Sequence, residues 1–597
     1  MIRNVHVPPQ KAYLSVQVKK EVEPLFDKDS LDAFLSQGNR VLNTPRQKVL
    51  QSRVSNTTPV PVFRTPLVRK TTDLSTPKSS PFTPSQDLTS QFLSRKIQEG
   101  PLEIFNAHVP DAVGDMASLT KRVKVSLVPG QQVTGYRYMH DKLADEGMVI
   151  DESIDAVAEL IAAQESLQTS QAQMDVDEEE VTPDTLLDDE KDPIQLIQRF
   201  MPPPNIPRQE QILTVGRICC DSVTDASKLN DRSVLLETSR LIGNGIRIPL
   251  NLEALITGGT PYSLFPGQIV GVRGRNPSGR LFNVEAFVAP PLPPPATTDV
   301  SRLASLYPPN DPKSKEPLQF MVAAGPFTLP DSLEYEPFAS LIDKAESQKP
   351  DVLILLGPFV EGSHPLIMEG MSPHDPKTLF KIKIMNRIQK LLSSQPGLQV
   401  LLIPSTLDLI TDWPLLPQPP LGVEMTESDS AASALALGLN LERLLVLPNP
   451  VTFFMNETLV SISNTDSLLE LAGSETGRVQ KGVPSDRLSL FFKHVLQQRH
   501  LHPLSPSTHK IQYEHLAPFM LGIQPDLLIM PSSLKQSIKA VEGVLCVNPG
   551  KCVKGKVAGS FARLVVHPLE VQGLLDAQEE DVVAGLVERT RAELLKL

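Results

Sequence analysis

Cysteine is scarce in this sequence, which has four among 597 residues. Cys219 and Cys220 are adjacent, and five residues separate Cys546 from Cys552, so neither pair has CxxC spacing. Zinc sites and redox motifs are built on such spacing, and a disulfide framework needs more cysteines than this chain has. The sequence therefore predicts no structural zinc, no disulfide scaffold and no cofactor, as is typical of a reducing compartment.

Basic residues are outnumbered, because 57 lysines and arginines face 69 aspartates and glutamates and the net charge is −12. A protein whose main function is to hold phosphate backbones usually carries a basic surface. The charge therefore argues against an autonomous single-strand-binding protein. A short basic cluster at 121–124 allows two interpretations, a nuclear import signal or a solvated strand end.

Long apolar runs are also missing. The richest one, LLVLPNPVTFF (444–454), is interrupted by two prolines, and the N-terminus MIRNVHVPPQKAYL has no apolar core of the kind found in secretory signals. The sequence therefore predicts neither a membrane span nor a secretory signal, and we expect a soluble intracellular protein.

Proline, in contrast, is abundant, with 56 residues. Residues 1–99 are rich in Pro, Ser, Thr, Lys and Arg, so we expect a mostly disordered linker with one short helix over 18–37. Proline-directed Ser and Thr are dense there, either by composition alone or as regulated phosphorylation sites. The phosphorylation candidates are Thr44, Thr58, Thr65, Thr76, Ser80 and Thr83.

The middle of the chain changes from helical to strand patterns. Residues 100–194 predict a connecting segment with helical spacing over 135–167 and an acidic loop over 174–192. Residues 195–298 predict about five short strands with a hairpin turn at 276–279, which is typical of an OB-fold barrel. Such strands alternate their faces, so Phe282 and Phe287, five apart, are expected on opposite faces of one strand.

From 299 to 597 apolar strands alternate with amphipathic helices, which predicts an α/β domain whose sheet is buried on both faces. The segments VLCVNPGK (544–551) and FARLVVHPL (561–569) are predicted to form a closing hairpin. The predicted fold class is thus multidomain, with a β-barrel packed on an α/β domain behind a disordered N-terminal region.

The strand ends of the α/β domain are the natural place for a site. DVLILLGPFVE (351–361), VAAGPF (322–327) and IPSTLD (403–408) resemble the calcineurin-like phosphoesterase superfamily, whose active members place Asp, His and Asn ligands for two metal ions at such ends. This chain is degenerate there, since proline and alanine side chains have no donor atom. The degenerate former metal-site positions are Ala324, Pro326, Pro358, Glu361, Pro404, Ser405 and Thr406. The resemblance therefore implies an inactive phosphoesterase domain, with no catalytic and no metal-binding residues.

A narrower resemblance comes from YSLFPGQIVGVRG (262–274), DVLILLGPFVE (351–361) and VNPGKCVKGKVAGSFARL (547–564), with YRYM (136–139) upstream. Together they are similar to the B-subunit family of DNA polymerase alpha. That family implies a nuclear, non-catalytic scaffold that binds the zinc-containing C-terminal domain of the catalytic subunit, meets primase through the complex, contacts DNA only indirectly and supports replication initiation. The alternatives are a small subunit of polymerase delta or epsilon, which share this plan, or an active phosphoesterase.

Individual residues carry further expectations. Partner binding is assigned to Tyr262, Leu264, Phe265 and Phe359. Asp466 is expected to cap the helix that follows it. The segment KCVKGKV (551–557) is interpreted either as a contact to nucleic acid or an acidic partner, or as a solvated hairpin. Five histidines between 494 and 515 are interpreted as a surface helix with its following loop; they are His494, His500, His502, His509 and His515.

Overall fold

The computed structural model describes residues 88–95, 100–111, 121–137, 140, 142–174, 193–220, 228–308, 315–423, 430–478, 486–576 and 581–597. The predicted helix over 18–37, the six phosphorylation candidates and nearly all of the acidic loop 174–192 lie outside these ranges. Among the described residues, no helix combines the length and the apolar character needed to cross a membrane.

The described helices are short, apart from one of 32 residues. In chain order they are α1 (Leu88–Leu93), α2 (Leu143–Met174), α3 (Pro193–Phe200), α4 (Arg240–Gly243), α5 (Glu253–Gly258), α6 (Val300–Leu306), α7 (Glu336–Gln348), α8 (Pro365–Met368), α9 (Pro376–Phe380), α10 (Asn386–Ser394), α11 (Ser430–Leu437), α12 (Ser467–Ser474), α13 (Arg487–Gln497), α14 (Val571–Asp576) and α15 (Leu586–Arg589). A turn of π-helix, Lys381–Met385, joins α9 to α10.

The strands form a barrel, two large sheets and several two-stranded ribbons. In chain order they are β1 (Glu103–Phe105), β2 (Val125–Leu127), β3 (Arg208–Cys220), β4 (Val234–Glu237), β5 (Arg247–Asn251), β6 (Tyr262–Leu264), β7 (Ile269–Asn276), β8 (Phe282–Val288), β9 (Thr297–Asp299), β10 (Leu318–Ala324), β11 (Val352–Leu356), β12 (Gln399–Ile403), β13 (Leu444–Val446), β14 (Val451–Met455), β15 (Thr458–Ile462), β16 (Thr476–Arg478), β17 (Leu527–Ile529), β18 (Ser537–Val541), β19 (Val544–Asn548), β20 (Val553–Lys554), β21 (Val557–Ala558), β22 (Ser560–Val566), β23 (Asp581–Val583) and β24 (Thr590–Lys596).

A closed barrel forms from β3, β4, β5, β8 and β7, in that order. Alternating residues such as Ile218, Leu236 and Val272 fill its interior. The long helix α2 packs with α3 on the outside of β3. It starts at Leu143 rather than near 135. Upstream of it, the hydroxyl of Tyr136 donates to the Pro417 carbonyl at 2.6 Å.

The prediction for Phe282 and Phe287 is wrong. Both rings pack on the same hydrophobic cluster inside the barrel, and Phe282 is fully buried. The cause is a bulge in β8, where Gly274 pairs with Val284 but Arg273 pairs with Ala286, so one residue is skipped. An extra residue reverses the side-chain alternation and brings Phe287 back to the face of Phe282.

The α/β domain contains two sheets that face each other. One has the order β1-β24-β22-β10-β11-β12-β13, and the other β18-β19-β17-β15-β14-β2. Their inner faces share one apolar cluster that includes Phe320, Ile354, Phe453 and Val547. Helices α7, α9 and α10 cover the outside of the first sheet, while α12 and α13 cover the second. Burial on both faces explains why the strands read as continuous apolar runs.

The predicted closing hairpin is also wrong. The first segment becomes β19 in the six-stranded sheet, and the second becomes β22 in the seven-stranded sheet. The chain crosses from one sheet to the other between them, and the small ribbon of β20 and β21 forms on the way. Two apolar segments can pair with each other or each complete a different sheet, and local sequence does not distinguish these outcomes.

The connecting segment 100–194 adds an edge strand to each of the two large sheets. Its strand β1 pairs with β24 at the edge of the seven-stranded sheet, and β2 pairs with β14 at the edge of the six-stranded sheet. Within the basic cluster, Arg122 donates two hydrogen bonds to Asp351, at 2.9 and 2.7 Å, and both side chains are almost fully buried. Arg122 is thus bonded inside the protein, and neither the import signal nor the solvated strand end describes it.

Candidate functional site at the strand ends

The parallel strands β10, β11 and β12 end side by side, so their loops meet at one edge of the sheet. Gly325 donates its N–H to Leu356 O at 2.8 Å, and Gly357 donates to Ile403 O at 2.9 Å. Each glycine is followed by a cis proline. Space is minimal there, because a Cβ added to Gly325 would lie 2.2 Å from Pro358 O. The backbones of the two loops are therefore in close contact at this edge.

Asp408 organises the loop after β11. Its carboxylate accepts backbone N–H bonds from Phe359, from Val360 at 3.0 Å and from Ser405 at 3.0 Å. Burial raises the pKa of Asp408 to about 7, although the three N–H donors act in the opposite direction. The carboxylate group therefore binds backbone N–H groups, which leaves it in the role of a loop organiser rather than a metal ligand.

Asn464 ties the two sheets together at this edge. It follows β15 of the six-stranded sheet and donates from Nδ2 to Gly357 O at 3.1 Å and to Pro404 O at 2.9 Å. Asn449 in turn accepts from the Asn464 N–H at 2.9 Å. Both amides are buried, so these bonds hold the loops of opposite sheets in a fixed relation.

Asp466 caps α12 as predicted, accepting from the Leu469 N–H at 3.3 Å. It also accepts from the Ser533 N–H at 2.8 Å and from the Ser532 hydroxyl. Asn548 completes this side, because its Oδ1 accepts from the N–H groups of Ser532 at 2.9 Å and Gly550 at 3.0 Å. The acidic and amide groups of the second sheet are therefore also used to shape loops.

The predicted degenerate positions all lie at this edge. Four of them are buried, namely Ala324, Pro358, Pro404 and Ser405, and three are partly exposed, namely Pro326, Glu361 and Thr406. Glu361 contributes a carboxylate, which accepts from the Ser363 hydroxyl at 2.8 Å. Over the described parts of the chain, no three His, Cys, Asp or Glu side chains are placed to share a metal ion. Sequence reasoning assigned no role to Asp408, because two of its three backbone partners are 48 and 49 residues away.

The interpretation of the histidines as a surface helix and loop is wrong for His494 and His502, while His500, His509 and His515 are partly exposed. His494 and His502 are buried, and burial lowers the pKa of His494 to about 4 and that of His500 to about 3. His500 stacks on Phe519 and His515 on Tyr136, with centroid distances of 5.2 and 4.4 Å. The barrel packs against helix α13 and buries it. The local sequence does not reveal this contact.

A buried polar network surrounds His502. Its Nδ1 lies 2.6 Å from Ser467 Oγ and its Nε2 lies 2.6 Å from Ser507 Oγ. Burial would raise the pKa of Glu470, but hydrogen bonds from His502 and Thr508 hold it at about 2. This Ser–His–Glu combination resembles a catalytic triad in composition only, since Ser467 and His502 are at most 1% exposed and no substrate reaches them.

Two family models match the chain. The model for the B subunit of DNA polymerases alpha and epsilon matches residues 320–539. The model for the OB domain of the DNA polymerase alpha B subunit matches residues 184–289, which contain every strand of the barrel. The B subunit of DNA polymerase alpha from Schizosaccharomyces pombe is 31% identical over 532 residues, 87% of this chain and 82% of the relative. The chain belongs to the B-subunit family of DNA polymerase alpha.

Other members of the B-subunit family match over shorter stretches. The protein from Rattus norvegicus is 32% identical over 368 residues, 61% of this chain and 56% of the relative. The protein from Saccharomyces cerevisiae is 30% identical over 441 residues, 66% of this chain and 59% of the relative. The matches thus span a little over half the length of these two relatives.

Solved structures with a related backbone include an archaeal phosphodiesterase, 10% identical with a TM-score of 0.21, covering 47% of this chain and all of that one. Vps29 from Entamoeba histolytica is 8% identical with a TM-score of 0.19, covering 47% of this chain and 99% of that one. Similarity this low is not evidence of a shared function. The predicted fold class is confirmed by the closed barrel, its family model and the layered α/β domain.

The segment YSLFPGQ (262–268), on which the B-subunit resemblance partly rests, joins the barrel to the α/β domain. Strand β6 pairs with β16, and Ser263 Oγ lies 2.8 Å from His494 Nε2. Gly267, with φ +95°, lies against the backbone of residues 503–505, and Ser505 donates to Pro266 O at 3.2 Å. These contacts bind the two domains into one unit.

The residues to which partner binding was assigned lie inside this chain. Tyr262, Leu264, Phe265 and Phe359 are 8%, 1%, 0% and 1% exposed, respectively. The first three belong to the contact between barrel and α/β domain, and Phe359 packs between Phe327 and Phe380. These four side chains therefore have almost no free surface with which to contact a partner.

Proposed function

We propose that this chain is the non-catalytic scaffold subunit of a DNA polymerase alpha–primase complex. In this role it binds the zinc-containing C-terminal domain of the catalytic subunit, meets primase through the complex, reaches DNA indirectly and supports initiation of replication in the nucleus. The proposal is carried by the 31% identity to a B subunit of DNA polymerase alpha over 87% of the chain. The match of the barrel to the alpha-type OB model favours alpha over delta or epsilon.

The arrangement at the strand ends supports a role without turnover. Two-metal hydrolysis needs several carboxylate and imidazole ligands around one open position. Here Asp408 and Asp466 accept hydrogen bonds from loop N–H groups, and prolines stand at three of the former ligand positions. These hydrogen bonds make the barrel and the α/β domain rigid. Rigidity suits a subunit that holds other subunits in position.

Affinity purification of the tagged full-length chain from its own cells tests this function. We expect a polymerase catalytic subunit in stoichiometric amount, together with both kinds of primase chain, because an obligate scaffold buries a large surface against its partner. Quantitative mass spectrometry of the eluate is the measurement, with an untagged strain as control. Recovery of a delta or epsilon catalytic subunit instead, or of no polymerase at all, would refute the assignment.

A further inference from the structure

A cleft beside the strand ends is lined by lysines. Two adjoining hollows share Ser533, Lys551 and Lys554 in their walls. One hollow extends to His364 at the former metal-site edge, and the other extends to Lys596 at the end of β24. We call the two hollows together the lysine cleft. None of the three lysines stands at a position where the phosphoesterase resemblance implied a ligand.

The charges in the lysine cleft are poorly compensated. Among the described residues, Lys551 and Lys596 have neither a hydrogen-bond acceptor nor an ion-pair partner, and Lys554 donates only to Ser533 O at 2.9 Å. Among the described lining residues, one has an acidic side chain, namely Glu361 at the far end of one hollow. Three ammonium groups against one carboxylate, in a chain of net charge −12, form a local positive site.

His364 adds an incomplete hydrogen-bonding group to the same wall. Its side chain is 3% exposed, and its Nε2 lies 2.8 Å from Leu329 O, so that nitrogen carries the proton. Its Nδ1 is buried without a hydrogen-bond partner among the described residues. Buried polar atoms without partners are uncommon in proteins. In this tautomer Nδ1 is an acceptor, which suits an N–H group of a bound peptide.

We propose that the lysine cleft binds a phosphate monoester carried on a phosphoserine or phosphothreonine peptide. The ammonium groups of Lys551 and Lys554, which line both hollows, supply charge-assisted hydrogen bonds to its oxygens, and Lys596 adds positive charge at the end of one hollow. Apolar side chains beside the lysines, including Leu534, Val553 and Val557, provide contacts for neighbouring peptide residues.

A peptide fits this cleft better than a nucleic acid does. Among the described residues that line the two hollows, none has an aromatic side chain on which a base would stack. Glu361 would repel a continuous polyanion that ran through the cleft, but it leaves room for a single phosphate. The phosphate can come from the Ser-Pro and Thr-Pro pairs of this chain or from another protein. The inference goes beyond the proposed function, and its failure leaves the polymerase assignment untouched.

Fluorescence anisotropy with the full-length, unphosphorylated chain tests the proposal. The probe is a labelled peptide with one phosphothreonine–proline pair, and its unphosphorylated twin is the reference. We expect at least about tenfold tighter binding of the phosphopeptide, since a phosphate adds charge-assisted hydrogen bonds. The double variant Lys551→Glu with Lys554→Glu should bind both peptides equally, and Lys596→Glu alone should weaken phosphopeptide binding.

Lys556→Glu is the matched control, because Lys556 is exposed in the same turn but does not line the cleft. It should change affinity less than twofold, and unchanged melting temperatures should show that all variants fold. Equal binding of the two peptides, or an unaffected double variant, overturns the proposal. A single-stranded oligonucleotide that binds more tightly than the phosphopeptide overturns it as well.

Weaker peptide binding after phosphorylation of the chain by a proline-directed kinase identifies its own phosphates as the source, and unchanged binding identifies another protein.

Discussion

Replacing Asp408 with alanine is expected to lower the apparent free energy of unfolding by about 4 kcal/mol, because a buried N–H left without an acceptor costs roughly 1–3 kcal/mol. Three backbone donors, from Phe359, Val360 and Ser405, lose their acceptor in this variant. Loss of the carboxyl group also leaves a void beside Gly357, whose added Cβ would lie 2.3 Å from Asp408 Oδ2. Urea unfolding followed by circular dichroism measures the effect.

Asp412→Ala is the control for this variant. Asp412 is four residues away in the same region of the chain, but it is exposed, so its replacement should change stability by less than about 0.5 kcal/mol. If Asp408→Ala unfolds at the same urea concentration as Asp412→Ala, the carboxylate does not hold the loop as described.

Replacing Gly267 with alanine should loosen the barrel from the α/β domain. Its Cβ would lie 2.3 Å from Ser505 N and 2.8 Å from Pro503 O, both of them backbone atoms that move only with the loop that carries them. Its φ of +95° adds backbone strain for any residue other than glycine. We expect a loss of at least about 3 kcal/mol in the free energy of unfolding. Cleavage by a protease within residues 289–296, between β8 and β9, should also accelerate.

Gly259→Ala separates the effect of the close backbone contact from the effect of the positive φ. Gly259 also has a positive φ, +71°, but no atom lies within 4 Å of its added Cβ. Its replacement should cost only about 1 kcal/mol, the strain of the left-handed backbone alone. Equal losses for the two variants would mean that close packing of the YSLFPGQ segment against residues 503–505 contributes nothing.

Periodicity predicted the parts of the fold that depend on local burial. The alternating strands of the barrel, the apolar runs of the α/β sheets and the cap at Asp466 follow from patterns within a few residues. The bulge that turns Phe287 inward could not be predicted, because it arises from pairing with β7. The separation of β19 from β22 depends on which sheet each strand completes.

The candidate site also has features that the sequence predicts and features that depend on contacts between distant residues. Motif resemblance predicted a degenerate site at the strand ends, because the alanine and prolines there are read from single residues. The role of Asp408, the link through Asn464 and the burial of His494 and His502 all depend on contacts between residues far apart in the chain. The lysine cleft combines the turn at 551–554 with His364 and Lys596, which only the folded chain brings together.

Manganese binding combined with phosphodiesterase activity tests the central claim, that the strand ends organise loops instead of holding metal. The full-length chain is titrated with Mn²⁺ by calorimetry and assayed on bis-p-nitrophenyl phosphate, beside an active two-metal phosphodiesterase and the variant Glu361→Ala. We predict no stoichiometric binding and the same background rate for wild type and variant. Stoichiometric Mn²⁺ with hydrolysis that disappears in Glu361→Ala would contradict the account.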